Sequence, residues 1–167
     1  MSEKNIFFLN ESEKIVSVKK LIKNIQEGYS IAEAMDFSKD KLEAVYTTGY
    51  QFFNQGKYEK ALKLFGFLLI HEQSDRRFFI AFGTCLKMLN VPDEAIKYLA
   101  IASVWEPSDP IPAVQIAECL LSLNRLSEAY DLLKKIDGEF GSLPQFKEIA
   151  AKVKLMLDFD TLHAIQN

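Results

Sequence analysis

The sequence predicts an all-α solenoid of three stacked helix–turn–helix repeats, flanked by an N-terminal helical segment and a C-terminal capping helix. Two spacings predict it. Ala61, Ala95 and Ala129, each with an acidic residue one or two places before it, recur at one constant interval. Gly49, Gly83 and Ala117 repeat the same interval, each 12 residues before its alanine. Small residues recurring at two fixed offsets mark places where backbones approach closely, as where the first helix of a hairpin crosses the second.

That interval, about 34 residues, is the period of the tetratricopeptide repeat. The repeats span 42–75, 76–109 and 110–141, between an N-terminal segment 1–41 and a capping segment 142–167, all in one structural domain. In the first segment, Asn10 and Glu13 resemble a capping box that starts a helix to about Glu27, stopped by Gly28. Its apolar stripe is Ile15, Val18, Leu21, Ile22 and Ile25, which can serve a homodimer or pack on repeat one within a monomer. Ser30 with Glu33 opens a short second piece, and Asp40 with Glu43 signals the next start.

Repeat one then reads as helices over about 41–55 and 58–71, separated by Gly56. Repeat two has a helix over about 76–89 ending near Asn90, and a second from Pro92, whose missing N–H is harmless in a first turn, to before Pro107. Repeat three opens on Asp109-Pro110, runs to about Leu123 and turns at Asn124; its second helix reaches about Ile136, with Gly138 and Gly141 marking the break. Ser142 and Gln145 form a further capping box for a last helix to about Leu162. In it Phe146, Ile149, Val153 and Met156 face the last repeat, while Lys147, Glu148, Lys152 and Lys154 face water.

Composition fits helices: 49% of residues are hydrophobic, with 13 Phe but only 7 Gly and 5 Pro. A net charge of −3 without a basic run argues against nucleic acid as a partner. No apolar stretch is long enough to insert in a membrane, and the first residues do not read as a secretory signal, so a cytoplasmic location is expected. Cys85 and Cys119 occupy equivalent places on neighbouring first helices, about 8–10 Å apart, too far for a disulfide, and read as small buried residues. Trp105, the single tryptophan, reads as core. His71 and His163 stand apart from any cysteine or carboxylate at ligand spacing, and neither a phosphate loop nor a nucleophile elbow is present. No enzyme, metal or cofactor is expected.

In such a solenoid positions 2, 5, 9 and 12 of each repeat face the concave side, one stripe of the first helix. They are Glu43, Tyr46, Tyr50 and Phe53, then Arg77, Ile80, Thr84 and Lys87, then Ile111, Val114, Glu118 and Leu121. Three successive aromatics on an open groove point to a binding surface, unless the leading helices fold back over them. With few clustered charges, the groove suits an extended, mostly apolar peptide held by side-chain pockets. Two helix steps of about 8–10 Å are spanned by about five or six extended residues. Three apolar anchors contribute about 5–8 kcal/mol before the peptide is ordered, so binding should be modest.

The stretches Leu42-Glu-Ala-Val-Tyr-Thr-Thr-Gly-Tyr-Gln-Phe-Phe-Asn-Gln-Gly-Lys-Tyr-Glu-Lys-Ala61, Asp75-Arg-Arg-Phe-Phe-Ile-Ala-Phe-Gly-Thr-Cys85 and Ala117-Glu-Cys-Leu-Leu121 resemble the class II chaperones of type III secretion, over about residues 12–160. The resemblance implies a non-enzymatic chaperone in the cytoplasm of a bacterium, keeping hydrophobic translocator proteins soluble before export. It implies a client segment of the form Pro-x-Leu-x-x-Pro in the concave groove, and groove residues at Tyr46, Tyr50, Phe53, Tyr58, Phe65 and Phe82. By register alone Tyr58 and Phe65 read as core. The family's frequent homodimers form through the leading helices. A tetratricopeptide scaffold or a regulatory module binding another protein is the alternative reading.

Overall fold

The computed structural model describes residues 38–165, with side chains through 158, together with Lys23 and Glu27. The leading stripe Ile15, Val18, Leu21, Ile22 and Ile25, the capping boxes at Asn10 and Ser30, and His163 lie outside those described side chains. Lys23 and Glu27 form one helical turn, with the Glu27 N–H donating to the Lys23 carbonyl at 3.0 Å.

Seven α-helices follow among the described residues: α1 Lys39–Asn54, α2 Tyr58–His71, α3 Arg76–Met88, α4 Pro92–Trp105, α5 Ile111–Ser122, α6 Leu126–Phe140 and α7 Lys147–Ile165. Each packs mainly on the next in sequence, and α3 also meets α5, as in a solenoid whose cohesion is local. Three small cores result. Leu42, Phe65, Leu68, Phe78 and Cys85 fill the first; Leu86, Leu99 and Cys119 the second; Val114, Leu133, Ile136, Val153 and Leu157 the last, beneath α7.

The repeat period has a direct steric basis. Phe65, Leu99 and Leu133 are fully buried on α2, α4 and α6, and they press on Gly49, Gly83 and Ala117. A Cβ at Gly49 would stand 2.5 Å from the Phe65 ring, and one at Gly83 2.8 Å from Leu99 Cγ. The hairpin turns recur equally regularly. Gly56, Asn90 and Asn124 take left-handed φ values of 71°, 60° and 56°. Behind them Lys57, Val91 and Arg125 each donate a backbone N–H to the carbonyl five residues earlier, at 2.9 Å. These are Schellman closures, in which only Gly or Asn is comfortable.

Several boundaries differ from the sequence reading. Ser38, not Asp40, caps α1: its Oγ accepts from the Lys41 N–H at 3.4 Å, and Asp40 sits in the first turn, favoured there by the helix dipole. Helix α6 continues through Gly138, where nothing opposes it, and ends at Gly141 with right-handed backbone. The capping box at Ser142 does not form. Leu143 is extended, Pro144–Phe146 makes a 3-10 turn, and the Phe146 N–H donates to the Leu143 carbonyl at 3.0 Å. Trp105 is not core: it is 47% exposed and stands edge-on to Phe79, with ring centroids 5.1 Å apart. Cys85 and Cys119 are buried free thiols, as expected, and burial pushes Cys85 up to about 12.

Helix α7 caps the stack with Ala150, Val153 and Leu157 buried and Ile149 and Met156 packed beside them; Phe146 meets the Phe140 ring at 5.4 Å. It also continues the register. Cys85, Cys119 and Val153 follow one another at the repeat interval and are all fully buried, so α7 stands where the first helix of a fourth repeat would.

Candidate peptide-binding groove

By the repeat register, helices α1, α3, α5 and α7 carry the stripe expected on the concave side. On α1 the rings form a ladder. Tyr46 and Tyr50 meet edge to face at 4.9 Å, Tyr50 and Phe53 are 6.3 Å apart, and Phe53 reaches Tyr58, at the start of α2, at 5.2 Å. Tyr50 is 37% exposed; Tyr46, Phe53 and Tyr58 are half-buried. Burial, then the hydrogen bond with Tyr50, raise the Tyr46 phenol above its ordinary value, so it stays protonated.

Phe65 does not face the groove. It is fully buried beneath the ladder, 5.9 Å from the Tyr46 ring and 5.5 Å from that of Tyr50, and supports both from below. This is the core position expected from its register, since Phe65 fills the α1–α2 crossing against Gly49. Phe82 is half-buried, edge-on to Tyr98 at 4.6 Å and against Gly66. Ile80 and Leu121 are also half-buried. Val114 is buried in the core under α7, which covers the place a concave residue would have had.

The expectation of few clustered charges needs correction. At the first-repeat end Arg77 pairs with Glu43 at 3.0 Å and Asp75 at 2.7 Å, and its guanidinium lies 4.9 Å from the Tyr46 ring centre. A cavity of about 510 Å³ opens there, lined by Leu42, Glu43, Asp75, Arg77 and Phe78 among others. Further along, the Thr84 hydroxyl donates to the Ile80 carbonyl at 2.7 Å and sits 2.8 Å from the Gln115 side-chain amide. Glu118 then bridges two ammonium groups, Lys87 on one carboxylate oxygen and Lys152 on the other. Burial opposes ionisation of Glu118, but the hydrogen bonds from Lys152 and Lys87 outweigh it and hold the carboxyl below its ordinary value.

Sequence reasoning missed Gln115 and Lys152. Gln115 falls off the four-position stripe. Lys152 reads as a water-facing residue of the cap, yet it follows Glu118 by one full repeat interval, so the period itself carried the signal.

Residues 42–74 match the tetratricopeptide repeat family model. The chain is 35% identical over 137 residues to low calcium response locus protein H of Yersinia pseudotuberculosis, covering 80% of each. In three dimensions it superposes on the Yersinia enterocolitica type III secretion chaperone SycD in complex with a peptide of the translocator YopD (TM-score 0.71, 32% identity, 76% of this chain and 97% of that one). It also superposes on PcrH, known from Pseudomonas aeruginosa, in complex with the chaperone binding region of PopD (TM-score 0.71, 26% identity, 76% and 96%).

Proposed function

The chain belongs to the class II, tetratricopeptide chaperones of type III secretion, and we propose that it holds hydrophobic translocator proteins soluble before export by gripping an extended client segment in its concave groove. The observation that carries this reading is the half-open ladder of Tyr46, Tyr50 and Phe53 on α1, apolar surface that the described residues leave uncovered. Rings of this kind offer large contact area at low entropic cost. The relatives support the same occupant: SycD was solved with a peptide of the translocator YopD, and PcrH with the chaperone binding region of PopD.

In this reading Tyr46, Tyr50, Phe53 and Tyr58 receive the apolar anchors of a Pro-x-Leu-x-x-Pro segment, with Phe65 as their support. Ile80, Phe82, Thr84, Lys87, Glu118 and Leu121 line the continuation. The protein acts in the bacterial cytoplasm, where clients wait for export, and it performs no catalysis. Residues 1–41 form a segment that dimerises or packs on repeat one, ahead of the repeats and the cap. The test is co-expression with a translocator encoded in the same genome. Tyr50→Ala and Phe53→Ala should each abolish co-purification of that translocator while leaving helicity unchanged. Survival of the complex in both variants, with normal folding, would remove the groove from consideration.

A further inference from the structure

Position 9 of successive first-type helices reads Tyr50, Thr84, Glu118 and Lys152, each one repeat interval after the last. The groove floor therefore passes from aromatic to hydroxyl to charged on its way to α7. The charges at its two ends are not balanced. Arg77 faces two carboxylates, Glu43 and Asp75, which leaves that end net negative. Glu118 faces two ammonium groups, Lys87 and Lys152, so that trio carries one net positive charge, with the Glu148 carboxylate one helical turn before Lys152 on α7. That positive trio stands out in a chain whose net charge is −3.

The two lysines differ in freedom. The Lys87 side chain is 23% exposed and is held between α3 and α5, whereas that of Lys152 is 54% exposed. An ammonium offers three N–H donors, and the Glu118 carboxylate takes one from each. Donors thus remain on both, and Lys152 has room to turn toward a ligand.

We propose that the groove reads charge as well as apolar anchors: the client segment carries an acidic side chain, or a short acidic run, on the flank that lies toward α7, and Lys152 with Lys87 receives it. This rests on the peptide-groove reading above. The ladder lies on α1 and both ammonium groups meet at Glu118 on α5, two first-helix steps of about 8–10 Å away, so the acid stands about five or six extended residues from the anchors. Glu118 keeps the two ammonium groups in place and turns the flank against basic residues less strongly than two bare lysines would. The negative end at Glu43 and Asp75 disfavours an acid on the other flank, so the charge pattern also selects the direction in which the segment lies.

The probes are fluorescein-labelled peptides with the Pro-x-Leu-x-x-Pro spacing, extended at either the N- or the C-terminal side by three Glu or three Gln. Binding to the full chain is followed by fluorescence anisotropy at about 50 mM and about 500 mM salt. At one end only, the Glu peptide should bind about two- to fivefold tighter than its Gln counterpart at low salt. High salt or Lys152→Gln should remove that preference while leaving the Gln peptides unchanged. Equal binding of Glu and Gln peptides at both ends, or a preference that Lys152→Gln does not alter, overturns the proposal and leaves the trio as a staple joining α3, α5 and α7. Failure of the Gln peptides themselves to bind would instead overturn the groove reading, and this proposal with it.

Discussion

Arg76, the first residue of α3, holds Asp109 at 2.9 Å across 33 residues of chain. The same guanidinium donates from Nε to the Ala102 carbonyl at 2.6 Å and pairs with Glu106 at 3.2 Å. It thus fastens the end of α4 and the loop into α5 to the start of the repeat. With its side chain only 18% exposed, this is a part-buried network rather than a surface pair.

Arg76→Ala should therefore lower stability by about 2–3 kcal/mol, since it strands a partly buried carboxylate and a helix-end carbonyl. Arg76→Lys should recover only part of the loss, because a single ammonium cannot meet three acceptors in a fork. Urea unfolding followed by circular dichroism measures both.

Glycine-to-alanine changes should split by position. Gly49→Ala and Gly83→Ala force a methyl into Phe65 and Leu99 and should destabilise by about 1–3 kcal/mol, despite alanine's better helix propensity. Gly138→Ala meets nothing within 4 Å inside α6 and should stabilise by about 0.5–1 kcal/mol. Thermal melts of the three variants separate these outcomes.

At the left-handed turns, Asn90→Ala and Asn124→Ala should each cost about 1 kcal/mol, because their φ values are 60° and 56°. The corresponding glycine variants should be close to neutral. Equal losses for Ala and Gly would mean that the Asn side chain, not the backbone, holds the turn.

Glu118 makes stability depend on pH in a defined direction. Its carboxyl titrates below the ordinary value of 4.5 in the folded chain, so in that window the unfolded chain binds more protons. Its contribution is complete above pH 4.5 and disappears as pH falls through the lowered folded value. Glu118→Gln should flatten the melting temperature against pH over that acidic range. An unchanged slope would show that the Lys87–Glu118–Lys152 trio contributes nothing to folding.

The helices and their hairpins are legible in the sequence because their causes are local. Gly49 and Gly83, the closures at Gly56, Asn90 and Asn124, and the Pro92 start each follow from the steric demands of one turn or one helix crossing. The errors fall where a neighbour overrides a local signal. Gly138 reads as a stop, but buried Ile136 and the half-buried Phe140 keep α6 helical past it. Trp105 reads as core because it is large and apolar, yet its helix ends at the surface with Phe79 covering one edge.

By itself, then, the sequence determined the repeat, its register, and the aromatic stripe of Tyr46, Tyr50 and Phe53, because a fixed period places equivalent residues on equivalent faces. Only the tertiary structure decided which of those positions stay open. Val114 is closed by α7, Phe65 by the crossing of α1 on α2, and Glu118 is joined to Lys152 from the cap. Helical periodicity says which way a side chain points from its own axis; what it meets there depends on the next helix, and that is a property of packing.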